Sequence, residues 1–107
     1  GFPTANIQIN ESYKLLPKNG VYIVSSEIND IQYFGMMNIG NNPTLGENEQ
    51  SIEVHYFDMS ENIYNKKLKI SILEHIRDER KFNSLSDLQA QLEKDKLFSL
   101  NYIQNLK

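Results

Sequence analysis

The hydrophobic period of this sequence changes once, about two thirds of the way along the chain. Before that point, short segments rich in β-branched and aromatic residues alternate with turn residues, and no helical pattern separates them. After it, leucines recur at helical spacing. Several strands followed by a terminal helix predict an antiparallel sheet, folded as a barrel or a sandwich, rather than a parallel sheet.

The predicted strands either alternate or are rich in β-branched and aromatic residues, and they cover residues 4–9, 20–28, 31–39, 51–57 and 68–76. Asn29 and Asp30 form a two-residue turn signal, which predicts a hairpin between the second and third strands. Residues 40–50 lack an apolar period and contain Gly40, Pro43 and Gly46, so we expect a loop there. The segment HIRDERKF (75–82) mixes both charge signs and predicts a solvated turn.

One or two helices are expected to close the chain. Ser84 begins a Ser-x-x-Asp pattern of the capping-box type. The apolar residues expected to pack this helical part on the sheet lie at helical spacing or continue the stripe, and they are Leu85, Leu88, Leu92, Leu97, Tyr102 and Leu106.

Length and charge limit the class of protein. A chain of 107 residues is expected to form one domain, over 1–107. Its net charge of −3 disfavours nucleic acid as a partner, because such proteins carry a basic patch. The sequence has no cysteine, and no apolar run reaches the roughly 20 residues of a membrane helix. We therefore expect a cytoplasmic protein without a membrane partner.

Two neutral oxygen-bearing residues stand at the start of the first strand. Thr4 and Asn6 are two residues apart, so their side chains lie on one face of a strand. A hydroxyl and an amide oxygen are hard ligands that suit Mg²⁺, provided that phosphates supply the remaining ligands. The alternative is that both residues only cap a loop, as polar residues at strand starts commonly do.

A carboxylate stands within the strand SIEVHYF. Ile52, Val54 and Tyr56 form one face of this strand, and Glu53, His55 and Phe57 form the other. Glu53 is a candidate general base. The alternative is an ordinary solvent-facing glutamate.

Several blocks in order resemble the riboflavin kinase family, including the C-terminal kinase module of bacterial bifunctional riboflavin kinase/FAD synthetases. The blocks are GFPTANI, LPKNGVYIV, GMMNIGNNPT, IEVHYFD followed by IYNKKLKI, and IRDERKFNSLSDL. They cover nearly the whole chain at similar spacing. The resemblance implies a six-stranded antiparallel Greek-key barrel with a C-terminal helix, and transfer of the ATP γ-phosphate to the 5′-hydroxyl of riboflavin, giving FMN and ADP.

The resemblance also implies roles for single residues. Thr4 and Asn6 match positions that hold the Mg²⁺–nucleotide complex, and Glu53 matches the general base. The residues that match nucleotide-loop positions are Gly1, Phe2 and Pro3, together with Asn38, Gly40, Pro43 and Thr44 in a second loop. We expect the flavin ring in an apolar slot near Phe82, Leu85 and Leu88, between the barrel and the helix.

The sequence departs from the family pattern in places. Asn65 replaces a glycine in a turn, and Leu45 replaces a phenylalanine after Pro-Thr. The strand and Gly-Arg segment that precede GFPTAN in the family are absent, so the first barrel strand is expected to be missing. The adenylyltransferase domain is absent too, and we expect it to be fused upstream in the full-length protein. The alternative function is a flavin- or nucleotide-binding module without turnover.

Overall fold

The computed structural model describes residues 4–7, 17–41, 50–58 and 69–106. In chain order the elements are β1 (Thr4–Ile7), β2 (Gly20–Ile28), β3 (Ile31–Asn41), β4 (Gln50–Tyr56), β5 (Ile70–Asp78) and α1 (Leu85–Leu106). The prediction of a mainly β antiparallel protein with a C-terminal helix is confirmed. The helical part is a single helix.

The described strands form one antiparallel sheet in the order β1-β4-β3-β2-β5. Strands β2, β3 and β4 follow one another as neighbours, and β5 returns to lie beside β2, which is Greek-key connectivity. Within the described residues five strands are present, and β1 and β5 form open edges. A sixth strand and a closed barrel therefore stay predictions.

The β2–β3 hairpin turns at the two residues that its sequence predicts. Asn29 and Asp30 have φ angles of 53° and 65°, the left-handed values that a type I′ turn requires at both central positions. Asparagine and aspartate tolerate this region better than most residues because their side chains hydrogen-bond locally. The turn sets the register in which Ile28 pairs with Ile31 and Gly20 pairs with Ile39.

The sheet packs apolar residues on both faces. One cluster, on the inner face, comprises Tyr22, Val24, Ile28, Tyr33, Met37, Ile39, Ile52, Val54 and Tyr56. The other, on the outer face against α1, comprises Ile23, Met36, Phe57 and Ile103, with Phe34, Leu73, Ile76 and Tyr102 packed around it. Burial at alternate residues of β4 confirms the predicted split between its two faces.

Strand β5 is irregular, and its bounds differ from the predicted 68–76. Its pairing with β2 shifts register twice, which leaves Ile76 and Leu73 without a cross-strand partner. Such bulges insert an extra residue and re-aim side chains. Both residues pack against the outer cluster. The prediction of a solvated turn over 75–82 is wrong in its first half, since His75 to Asp78 belong to β5.

Helix α1 begins with the expected cap and docks through an unexpected face. The backbone N–H of Asp87 donates to Ser84 Oγ at 3.1 Å, as an N-cap serine should accept. The buried positions of the helix are Asp95, Ser99 and Ile103. Three leucines of the predicted stripe are exposed instead, Leu85 at 69%, Leu97 at 66% and Leu106 at 54%. Their assignment to the packed face is wrong.

Candidate active site

A row of polar residues crosses three neighbouring strands. Asn6 in β1 pairs with Glu53 in β4, and Glu53 pairs with Asn38 in β3. Cross-strand partners occupy the same face of a sheet, about 4.5–5.5 Å apart between Cβ atoms. The register thus brings together three positions that are far apart in sequence, and each of them was a predicted site residue.

The next cross-strand pair extends this arrangement along the strands. Thr4 in β1 pairs with His55 in β4, so both predicted ligand positions of β1 lie beside β4. His55 Nε2 lies 2.6 Å from Glu53 Oε1, within hydrogen-bond distance. The side chains of His55 and Glu53 are 28% and 43% exposed, which leaves the carboxylate accessible to a ligand. Ile52, Val54 and Tyr56 alternate with them and are buried in the inner core.

The structure describes only some of the predicted site residues. Thr4 and Asn6 are located by their backbone pairing in β1, and Asn38, Gly40 and Glu53 lie in the described parts of β3 and β4. The predicted nucleotide-loop residues that lie outside the described ranges are Gly1, Phe2, Pro3, Pro43 and Thr44.

Gly40 belongs to β3, so its assignment to a loop is wrong. A Cβ built on Gly40 would lie 2.8 Å from Glu79 Oε2. That carboxylate oxygen accepts a hydrogen bond from the backbone N–H of Asn41 at 3.2 Å. The glycine therefore makes room for Glu79, a reason that sequence reasoning missed when it linked Gly40 to a phosphate.

Side-chain amides join the two strand ends beside Gly40. Asn41 and Gln50 are a cross-strand pair, and Asn19 lies between their side chains. Asn19 donates to Asn41 Oδ1 at 3.1 Å and accepts from Gln50 Nε2 at 2.7 Å. Together with Glu79, these groups fix the end of β3 that is nearest to Asn38.

A buried ion pair fixes β5 to the helix. Arg77 Nε lies 3.1 and 3.0 Å from the two carboxylate oxygens of Asp95, and Arg77 Nη2 lies 2.9 Å from Oδ2. Asp95 is 2% exposed, and Gln91 Nε2 donates to its Oδ1 at 3.0 Å. The Phe82 ring lies 5.6 Å from the Arg77 guanidinium and 5.2 Å from that of Arg80.

The sequence predicted Arg77 to lie in a solvated turn, and this prediction missed its buried partner. Arg77 pairs with Val21 in β2, and Val21 pairs with Asn38 in β3. The row that contains Asn6 and Glu53 therefore ends at the residue that holds the helix. The only sequence signal for this pair is an aspartate at a helical position in phase with Leu88 and Leu92.

A cavity of about 530 Å³ lies between the sheet and the C-terminal half of α1. Phe34, Phe57, Leu100 and Ile103 supply most of its apolar wall. The flavin slot was expected at the other end of the helix, where Leu85 is exposed. The location of the flavin ring therefore stays a prediction.

The described residues offer no ready-made metal cage. No group of three or more His, Asp or Glu side chains among them could hold an ion. By residue type, position 4 carries a hydroxyl and position 6 an amide, and the backbone of position 6 pairs with that of Glu53. This set suits a hard cation that arrives with its own phosphate oxygens. Across the described ranges, no helix is long and apolar enough to cross a membrane.

Comparisons with known proteins show which family this chain resembles. The family model described as "Flavokinase: Riboflavin kinase" matches residues 1–103. A bifunctional riboflavin kinase/FMN adenylyltransferase of Bacillus subtilis is 44% identical over 100% of this chain and 34% of that protein. The protein of the same description from Listeria monocytogenes is 46% identical over 89% of this chain and 30% of its own length.

Two further relatives carry different descriptions. An RNA-binding riboflavin kinase of Bacillus subtilis is 45% identical over 89% of this chain and 40% of that protein. A crystal structure described as a macrolide-efflux protein from Streptococcus pneumoniae has a TM-score of 0.80 and 35% identity, covering 94% of this chain and 33% of that one. The chain spans 30–40% of the length of these curated relatives.

Proposed function

The chain belongs to the riboflavin kinase family, and on that premise we propose that it transfers the γ-phosphate of ATP to the 5′-hydroxyl of riboflavin. The observation that carries the proposal is the row in which Glu53 pairs with Asn6 on one side and Asn38 on the other. Phosphoryl transfer requires mainly positioning and charge neutralisation. A carboxylate between two amide-bearing positions supports the positioning, and a cation bound with the phosphates would supply the neutralisation.

Glu53 is the proposed general base. Its carboxylate orients the 5′-hydroxyl of riboflavin and takes its proton while the hydroxyl oxygen bonds to the γ-phosphorus. The bond from that phosphorus to the bridging oxygen breaks, ADP leaves, and FMN is formed. The 43% exposure of the Glu53 side chain is consistent with a group that substrate can reach.

Thr4 and Asn6 are the proposed ligands for Mg²⁺. Their cross-strand pairing with His55 and Glu53 supports this role, because it sets both positions beside the base. When bound with ATP, the ion neutralises phosphate charge. The protein's part is to hold the nucleotide in line with the hydroxyl that Glu53 orients.

The remaining assignments follow from the family. We assign Gly1, Phe2, Pro3, Pro43 and Thr44 to the nucleotide loops, and Asn38 and Gly40, which belong to β3, to nucleotide binding near the end of that strand. The barrel is closed and six-stranded in this proposal, and the protein works in the cytoplasm. The full-length protein carries an FMN adenylyltransferase domain, as the names of the relatives state for those proteins.

The test is turnover of riboflavin with Mg–ATP, followed as FMN by chromatography. A general base contributes about 10²–10⁴-fold, so Glu53→Gln should lower kcat by that factor while riboflavin still binds, as measured by fluorescence quenching. Glu27→Gln is the matched control, because Glu27 is an exposed strand glutamate at the far end of the β2–β3 hairpin. Unchanged turnover in Glu53→Gln contradicts the role of the base. Riboflavin binding without FMN formation by the unmodified protein favours the non-catalytic binding module.

A further inference from the structure

His55 contacts the proposed general base directly. Its Nε2 lies 2.6 Å from Glu53 Oε1, and both residues belong to the outer face of β4. The inner core of this strand is supplied by Ile52, Val54 and Tyr56, each at most 6% exposed. The imidazole is 28% exposed. The imidazole is therefore not a member of the inner core.

The contact engages one of two equivalent oxygens. A glutamate side chain has three rotatable bonds, and an exposed one samples many rotamers. An N–H donor held at Oε1 restricts that sampling and leaves Oε2 free to accept a proton. Because His55 is two residues from Glu53 on a regular strand, the backbone itself fixes the separation of the two side chains.

We propose that His55 is a positioning residue for the general base. It donates its Nε2–H to Glu53 Oε1 and thereby directs Oε2 toward the hydroxyl of the substrate. The proton of that hydroxyl ends on Oε2, and His55 keeps its own. This inference rests on the proposed function of Glu53. A misplaced catalytic group can lower turnover about 10²-fold, so the expected loss without His55 is roughly 10–100-fold in kcat.

The test uses two amide substitutions that differ only in reach. In His55→Gln the amide nitrogen can occupy the position of Nε2, whereas in His55→Asn it falls near Nδ1 and is too short to reach Oε1. We expect His55→Asn to lose roughly 10–100-fold in kcat, with KM for riboflavin and ATP within about twofold. His55→Gln should recover most of that loss. If His55 had only a general polar or structural role, the two variants would have a similar kcat.

A second histidine provides the matched control. His75 Nε2 lies 3.1 Å from Asp78 Oδ1, which makes the same kind of pair on β5. His75→Asn should leave kcat unchanged. Thermal unfolding of all variants checks that the fold is retained.

The Glu53→Gln background separates the two proposals. In Glu53→Gln, the further substitution His55→Asn should lower kcat only slightly, because no carboxylate remains to be oriented. Suppose that Glu53→Gln has a lowered kcat. If His55→Asn then has a normal kcat, or lowers kcat by the same factor in the wild-type and Glu53→Gln backgrounds, the positioning role is overturned and the role of Glu53 as base stands. If Glu53→Gln turns over normally, the base is overturned and the role of His55 with it.

Discussion

Replacing Arg77 by methionine should destabilise this fold strongly, because it breaks a buried ion pair. The substitution removes three N–H to carboxylate contacts of 2.9–3.1 Å and leaves Asp95, which is 2% exposed, with the Gln91 amide as its remaining side-chain donor among the described residues. Breaking a buried pair by removing one partner costs about 3–5 kcal/mol. That is a large part of the roughly 5–15 kcal/mol by which small domains are stable.

The assay is urea unfolding followed by far-ultraviolet circular dichroism, with ΔG taken by linear extrapolation. Arg80→Met is the matched control, since Arg80 also lies over the Phe82 ring, at 5.2 Å, but its hydrogen bond to Gln91 is exposed and 3.4 Å long. We expect about 0.5 kcal/mol or less for Arg80→Met. Replacing Arg77 and Asp95 together by Met and Leu should recover most of the loss, because an apolar pair leaves no buried charge.

The reasoning is refuted if Arg77→Met and Arg80→Met have the same free energy of unfolding. It is also refuted if the double substitution is less stable than Arg77→Met alone. Either result would mean that Asp95 does not depend on Arg77 in the folded protein.

Three smaller perturbations test other contacts. Gly40→Ala should displace the Glu79 carboxylate and lower the free energy of unfolding by about 0.5–1.5 kcal/mol. In a Glu79→Ala background the same substitution should have almost no effect. Equal losses in the two backgrounds would disprove the crowding. Asp30→Gly should stabilise the hairpin by roughly 1 kcal/mol in thermal unfolding, because it relieves a left-handed φ of 65°; a lower melting temperature would contradict this. Burial raises the pKa of Tyr56, against the opposing hydrogen bond with Ser26. Above about pH 10 the unfolded chain therefore loses this proton before the folded protein does. The free energy of unfolding should then fall with rising pH more steeply than it does in Tyr56→Phe. Parallel pH profiles of the two proteins would refute the assignment.

The sheet could be predicted from local pattern because its signals are local. The β-branched and aromatic residues over 20–28 and the dipeptide Asn29-Asp30 specify a strand and a type I′ turn without any long-range information. The structure has β2 at the same residues. The face assignment of β4 succeeded for the same reason, since period-two burial needs only one buried face.

The helix shows where apolar periodicity misleads. Leu88 and Leu92 are half-buried, and the positions in phase with them are 95, 99 and 103. Two of these positions carry Asp95 and Ser99, so the predicted apolar stripe included Leu97 instead. Leu97 lies on the opposite side of the helix. A polar residue on a packed face is explained only by its partner, and Arg77 lies on another element.

The composition of the site could be predicted, but its assembly could not. Residue types suggested Glu53 and Asn6, but their adjacency depends on the pairing of two strands that are far apart in sequence. The role of Glu79 was hidden for the same reason, because its contact with Asn41 joins the ends of two elements. Register and long-range pairing are properties of the folded sheet, not of any short segment.

Strand β1 lies at an edge of the sheet and pairs through four residues, Thr4 to Ile7, with β4 alone among the described strands. Short edge strands open at a free energy well below that of global unfolding. Thr4 and Asn6, the proposed ligands for Mg²⁺, therefore lie on a short strand at an edge of the described sheet. On mild heating, phosphate transfer should be lost while circular dichroism still reports an intact sheet. Added nucleotide should shift that loss to a higher temperature by stabilising strand β1.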